Sequence, residues 1–219
     1  MPSLDIVIVL ASGEVIPRRF SYERLVLAGW SGRDRDEVMA HVKELKRIGV
    51  PPPSEVPQFF RVGPNLLTTS RRIGVLEGRN NGEVEYVILL EDGRPRYVTV
   101  GSDHTDRDVE RMSVPLSKQL YPKVIPPIVW PYEEVVDHWD ELVLELRVDG
   151  TIAQRSKAEG LLRADELIDR AGLEGNAVLF SGSIPWINGE MKFGREYRME
   201  IRDPVLRREI AYSYLTHKA

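Results

Sequence analysis

The sequence predicts a strand-rich α+β fold, a roll dominated by strands with few short helices. Three observations lead there. Short runs rich in Val, Ile and Leu recur along the chain, separated by turn pairs such as Ser12-Gly13, Asp92-Gly93 and Asp149-Gly150. Few stretches carry helical periodicity. No run of alternating strand and helix appears, which disfavours a doubly wound sheet.

At 219 residues the chain can bury a substantial core. The expected organisation is a single catalytic domain over 1–219, with an N-terminal β-hairpin, 1–20, packed on it. Hydrophobic residues make up 42% and charged residues 29%, the balance of an ordinary globular protein. A net charge of −4 gives no electrostatic reason to bind nucleic acid or membrane. No apolar run approaches ~18 residues, and no basic segment with an apolar stretch opens the chain, so the expected location is the cytoplasm. There is no cysteine, which excludes disulfides, thiolate metal sites and a cysteine nucleophile. Four histidines, at 41, 104, 138 and 217, argue against a multi-histidine zinc site.

Leu4 to Leu10 reads as a buried strand, turned by Ser12-Gly13 into a returning Glu14 to Arg18. Leu25 to Gly29 is a third short strand, and Gly29-Trp30-Ser31-Gly32 a loop. Asp34 to Ile48 reads as a helix on the stripe Val38, Val42, Leu45. His41 lies within its apolar arc and Glu44 three residues on, a spacing that lets a carboxylate raise the basicity of an imidazole. The same pair is also what a core-edge histidine beside a surface glutamate looks like. Pro51-Pro52-Pro53 starts an extended linker, Pro57 to Val62 a short strand, and Arg72 to Leu76 another.

The stretch from Gly82 to Lys118 carries the candidate chemistry. Period two from Glu83 to Leu90 puts Glu83, Glu85, Val87 and Leu89 on one face and Val84, Tyr86, Ile88 and Leu90 on the other. Apolar residues on both faces mark a strand buried on both sides. Asp92-Gly93 turns it into a second strand, Arg96 to Val100, which returns Asp103 to the neighbourhood of Glu83 and Glu85. Three carboxylates at the mouth of a buried strand need a neutralising partner, and a hard cation is the usual one for an all-oxygen set. Two plainer readings stand beside this. Glu-x-Glu also occurs at solvated strand ends, and Asp103 with Asp106 could cap a helix.

Beyond Asp108 a short helix runs to Met112. Prolines 122, 126, 127 and 131 exclude a helix between Tyr121 and Tyr132, and Tyr132 to Asp140 reads as a short helix. Leu142 to Val148 alternates as a half-buried strand and turns at Asp149-Gly150 into Thr151 to Arg155. Ala164 to Ala171 is a helix closed by Gly172. Ala177 to Phe180 is a buried strand leading into Ser181-Gly182-Ser183-Ile184-Pro185. Tyr197 to Ile201 and Leu206 to Tyr212 are final strands.

The order of these motifs resembles the fumarylacetoacetate hydrolase superfamily, from about Val26 onward. It is most similar to a branch marked by Gly101-Ser102-Asp103-His104-Thr105-Asp106-Arg107. The motifs are His41-Val42-Lys43-Glu44, Phe59-Phe60-Arg61, Gly82-Glu83-Val84-Glu85, Arg107-Asp108, Ser117-Lys118 and Ser181-Gly182-Ser183. The resemblance implies a β-roll of that superfamily and a homodimer, for which an apolar edge such as Trp186 offers a surface. It implies Mg²⁺, Mn²⁺ or Ca²⁺ on Glu83, Glu85 and Asp103. It also implies water activation by His41 and Glu44, a catalytic Lys118, and substrate contacts from Arg107, Ser183, Arg61 and Glu110.

The chain departs from the family pattern at Gly29-Trp30-Ser31-Gly32, at Arg61 and Glu110, in the tight Asp92-Gly93 turn, and in the Ile184 and Trp186 that lengthen the Gly182 loop. The implied activity is hydrolysis of a C–C bond in a small 2-oxo acid such as an acylpyruvate, through a metal-stabilised enolate. Decarboxylation, hydration or isomerisation on the same metal site, or ligand binding without turnover, are the alternatives.

Overall fold

The computed structural model describes residues 1–47 and 52–219, with the side chains of His41 and of residues 44–47 outside that description. In chain order the strands begin with β1 (Ser3–Val9), β2 (Val15–Ser21) and β3 (Arg24–Gly29), followed by helix α1 (Arg35–Arg47). Then come β4 (Gln58–Val62), β5 (Leu67–Thr68), β6 (Arg72–Val75) and β7 (Asn80–Asn81). The central hairpin is β8 (Val84–Glu91) with β9 (Arg94–Asp103), and β10 (Thr105–Asp106) leads into α2 (Arg107–Met112) and α3 (Val114–Leu120). The rest is β11 (Lys123–Val124), β12 (Ile128–Pro131), β13 (Val143–Val148), β14 (Thr151–Lys157), α4 (Ala164–Ala171), β15 (Ala177–Phe180), β16 (Glu196–Asp203) and β17 (Arg208–Lys218).

A ten-stranded sheet runs in the order β2-β1-β12-β9-β8-β15-β3-β4, with β11 and β5 attached beside β9. A second sheet, β14-β13-β16-β17-β6, packs against it. Strand β8 is buried along Val84 to Leu90, as expected for a strand covered on both faces. Its period of two feeds two cores. Val84, Tyr86, Ile88 and Leu90 join the core shared with the second sheet. Val87 and Leu89 join another core with Ile6, Phe20, Leu27, Phe60 and Phe180. That second core draws Phe20 from one edge of the large sheet and Phe60 from the other, so the sheet curls around it. The Tyr22 hydroxyl donates to the Pro64 carbonyl at 3.0 Å across the same gap.

Several elements differ from the sequence reading. The N-terminal hairpin forms and extends to a Ser3–Ser21 pair, and β1 also runs parallel to β12, so the hairpin continues the main sheet. The proline-rich stretch before Tyr132 contains strand β12: Pro131 lies level with Tyr97 and costs the ladder only one donor. The helix expected over Tyr132 to Asp140 is two 3₁₀ turns, Tyr132–Glu134 and Val136–Glu141, with His138 off helical dihedrals. Helix α3 is an addition, started by the Ser113 hydroxyl accepting from Leu116 N–H. The last two strands end later than read from sequence: β16 pairs along its whole length with β17, which starts at Arg208 and runs on to Lys218 beside β6. The α4 span and its left-handed Gly172 cap are as read from sequence.

Gly101 sits where the two strands of the central hairpin meet strand β15. A Cβ there would lie 2.5 Å from Val87 Cγ2 and 2.6 Å from Phe180 Cε1. Overpacking of a dense core costs about 1–3 kcal/mol. Gly101→Ala should lose about that much in urea unfolding, whereas a substitution without effect would show that the core yields at this point.

Candidate metal centre

Glu83, Glu85 and Asp103 are brought together by one register. Val84 pairs with Ser102 and Glu85 with Gly101, and Asp103 N–H donates to the Glu83 carbonyl at 3.1 Å. All three side chains are buried, and one oxygen from each lies within 4.8 Å of the other two. The set is all-oxygen and anionic, the donor chemistry of a hard divalent cation.

Three buried cations stand around it. Arg107 Nη2 lies 3.0 Å from Glu83 Oε1. Lys118 Nζ donates to Asp103 Oδ2, and Lys123 Nζ is 2.6 Å from Oδ1 while donating to the His104 carbonyl at 3.0 Å. Oδ1 faces the Lys123 ammonium as an ion pair without well-aligned hydrogen-bond geometry. Burial would raise the Asp103 pKa, but Lys118 and then Lys123 outweigh it and hold the carboxyl ionised, below its ordinary value. Burial disfavours the Lys118 ammonium too, yet Asp103 and Glu83 raise its pKa. Lys123 goes the other way: burial lowers it beyond what Asp103 restores.

Glu85 is the exception. Its hydrogen bond is from Gly182 N–H at 2.7 Å, and among the described residues no cationic side chain forms an ion pair with it. Burial first, and then the Asp103 charge, push its pKa well above the usual carboxylate value. Among the described residues Glu85 is therefore the corner of the triad without an ion-pair partner, and a cation shared by the three oxygens fits that deficit.

A family model described as a protein of unknown function, DUF2848, matches residues 28–214. The chain belongs to this family. No curated protein matches it. Among solved structures, a protein described as a fumarylacetoacetate isomerase/hydrolase from Oleispira antarctica superposes with a TM-score of 0.72 at 16% identity, covering 98% of this chain and 100% of that one. Fumarylpyruvate hydrolase from Pseudomonas aeruginosa, in complex with Mn²⁺ and pyruvate, gives 0.68 at 19% identity, covering 100% and 98%. The apo form of a 2-keto-3-deoxy-D-arabinonate dehydratase gives 0.61 at 15% identity over 95% and 86%. The fold of this DUF2848 member is thus that of the fumarylacetoacetate hydrolase family.

The remaining predicted residues separate into those at the triad and those elsewhere. Arg107 reaches Glu83 and is held by Asn81 Oδ1 at 2.6 Å and Glu110 Oε2 at 2.8 Å, so Glu110 orients the arginine. Ser183 does not contact the triad. It accepts from Gln154 Nε2 at 2.8 Å and donates to the Ile184 carbonyl, while Gln154 Oε1 accepts from Val84 N–H at 3.0 Å. Arg61 donates to the Ala171 carbonyl at the end of α4, a structural tie away from the carboxylates. His41 and Glu44 lie on α1, and their side chains fall outside the described residues. Asp106 takes the capping role left open for it, accepting from Asp108 and Val109 N–H, whereas Asp103 caps nothing. Lys123, Asn81 and the Gly182 N–H were not read from sequence. Lys123 had one signal, a lone charge in an otherwise apolar, proline-flanked strand.

His104 serves the structure behind the triad. Its Nε2 faces Asn80 Oδ1 at 3.0 Å, and Asn80 Nδ2 donates to the Leu76 carbonyl, so Nε2 must carry the proton. Its Nδ1 then accepts from the Tyr214 hydroxyl at 2.9 Å, which lies 2.8 Å from Ser102 Oγ. Burial, then Lys123 and Arg107, push the imidazole pKa down to about 3. Imidazole nitrogen shifts should therefore show a neutral Nε2–H tautomer for His104 down to about pH 4. A ring that protonates near its ordinary value of 6.5 would contradict this arrangement.

The Glu85 shift has a sign for stability. A carboxyl whose native pKa is raised holds its proton above the unfolded value, so the metal-free protein loses stability as pH rises through the native value. Glu85→Gln removes that titration. Metal-free Glu85→Gln should be more stable than the parent at neutral pH, by about 1–3 kcal/mol, the scale of an uncompensated buried polar group. Its stability should also stay flatter as pH rises. Urea unfolding in chelator at several pH values measures both.

Proposed function

We propose that this protein is a divalent-metal-dependent enzyme acting on small 2-oxo acids, and that its reaction is hydrolysis of a C–C bond in an acylpyruvate-like substrate. The observation that carries the reading is the buried all-oxygen triad, whose Glu85 has no ion-pair partner among the described residues. A cation held by Glu83, Glu85 and Asp103, such as Mg²⁺, Mn²⁺ or Ca²⁺, supplies Lewis acidity toward carboxylate and oxo oxygens. The Mn²⁺ and pyruvate found with the fumarylpyruvate hydrolase of the same fold support that ligand chemistry.

The chain's own groups divide the remaining work. Lys118 has ammonium protons beyond the one given to Asp103, and its place at the triad suits it to an anionic substrate oxygen. Arg107, fixed by Asn81 and Glu110, pairs with Glu83 and adds positive field where negative charge develops. Glu44, steered by His41 on α1, is the base for water attack. The Gly182 N–H keeps Glu85 aimed at the other two carboxylates.

A second reading is loss of water or of CO₂ from a 2-oxo acid on the same triad, and the dehydratase that shares the fold favours keeping it. Elemental analysis and calorimetry with Mn²⁺ should show about one ion per chain, lost in Glu85→Ala and Asp103→Ala. A panel of acylpyruvates should be turned over with metal and not after chelation. Under hydrolysis, His41→Ala or Glu44→Ala should lower kcat about 10²–10⁴-fold, the usual weight of a general base. Retained turnover in those two variants would move the assignment to the second reading, and metal-independent turnover would overturn both.

A further inference from the structure

A cavity of about 220 Å³ opens at the same end of the main sheet as the triad. Trp30, Phe60, Val114 and Pro115 wall it, with Gln58 and Ser113 as polar points. Trp30 is held there against its own backbone preference. Its φ of +52° lies in the left-handed region, which a bulky side chain seldom adopts and which, where it occurs, points toward a functional constraint. Its neighbours fix it. The Ser31 hydroxyl donates to the Ser181 carbonyl, next to the Gly182 that holds Glu85. Gly29 has no side chain to push Phe60 away, since a Cβ there would lie 3.1 Å from the ring. The Trp30 and Phe60 rings stand 6.2 Å apart and tilted by 49°.

The register measures how far this cavity is from the carboxylates. Phe180 lies level with Val87 on β8 and with Leu27 on β3, and Gly29 lies level with Gln58 on β4. Two residues further on, Glu85, Gly182 and Gly29 form one row. Two strand spacings of about 4.8 Å put Gly29, the residue before Trp30, roughly 10 Å from Glu85. The face is the same as well. Glu83 and Glu85 share the parity of Val87 and Leu89, whose core includes Phe60 and Val114 and has Trp30 packed on it. Helix α3 spans both features: Val114 lines the cavity, and Lys118, one turn on along the same helix face, reaches Asp103.

The geometry points to this cavity as the seat of the far end of the substrate: an apolar aryl or branched aliphatic group on an oxo acid whose other end sits at Glu83, Glu85 and Asp103. This rests on the metal-enzyme reading above and narrows it to a substrate class. An apolar cavity of about 150 Å³ accepts benzene, so this one has room for a phenyl group. An oxo-acid backbone of four carbons bearing a ring covers roughly the distance between the two features.

The test uses the full chain loaded with Mn²⁺ and two probes, 4-phenyl-2,4-dioxobutanoate and pyruvate, titrated by calorimetry. The wild-type protein should bind the aryl probe about 10-fold or more tighter than pyruvate, the scale expected for filling an apolar pocket. Trp30→Gly suits the left-handed backbone and should fold; it should lose that preference while its pyruvate affinity stays within about two-fold. Trp30→Ala, read the same way, guards against an effect peculiar to glycine. Metal-dependent pyruvate binding without preference for the aryl probe, or equal weakening of both probes in the variants, overturns this inference alone. Absence of Mn²⁺-dependent binding of either probe to the wild-type protein overturns the metal reading and this inference with it.

Discussion

Charge balance among buried side chains is the constraint on which this structure turns. Three carboxylates and three cations, Arg107, Lys118 and Lys123, are all buried at one sheet end. Leaving any of them unpaired there would be costly, since the low dielectric that strengthens a pair also penalises a lone charge. Counted with all six groups charged the sum is neutral, but the sharing is uneven. Asp103 has two partners, Glu83 one, and Glu85 only a backbone N–H. A divalent ion placed among the three would relieve Glu85 and leave the centre positive overall, which is the field an anionic oxo acid needs.

The motif from Gly101 to Arg107 works because alternation sends its residues to opposite duties. Gly101 and Asp103 face the core of Val87 and Phe180, the first making room and the second supplying an oxygen. Ser102 and His104 face the other way, into the Tyr214 and Asn80 network. Asp106 then starts α2, which delivers Arg107 to Glu83. The short β7–β10 ladder, Asn81 with Thr105 and Asn80 with Asp106, positions both the histidine partner and the arginine partner.

The hairpin and its acids were legible in the sequence because their signals are local. Glu-x-Glu heads an apolar run, a strong turn pair follows, and period two fixes which side chains converge. The α4 helix was legible for the same reason, with its glycine stop. What escaped depends on distant pairing. Lys123 becomes a counter-charge only because β11 pairs with both β5 and β9, and a lysine between prolines looks like loop. The Gly182 donor belongs to the main chain and leaves no letter to read. Ser183 was read as the substrate-binding hydroxyl of that loop by resemblance, and its direction is set by Gln154 from the second sheet. Arg61 was drawn toward the site by resemblance, and the strand carrying it points the guanidinium at the end of α4.

All six charges of the centre, with the asparagine and glutamate that steady Arg107, fall between Asn81 and Lys123. An acid and its cation are therefore always inherited together when this segment passes whole between homologues. Chimeras with crossovers outside it keep every counter-ion with its carboxylate, whereas a junction inside it pairs acids from one parent with bases from another. Trp30, Phe60 and Gly182 lie beyond those limits, so domain shuffling could exchange the apolar seat and leave the charged one intact.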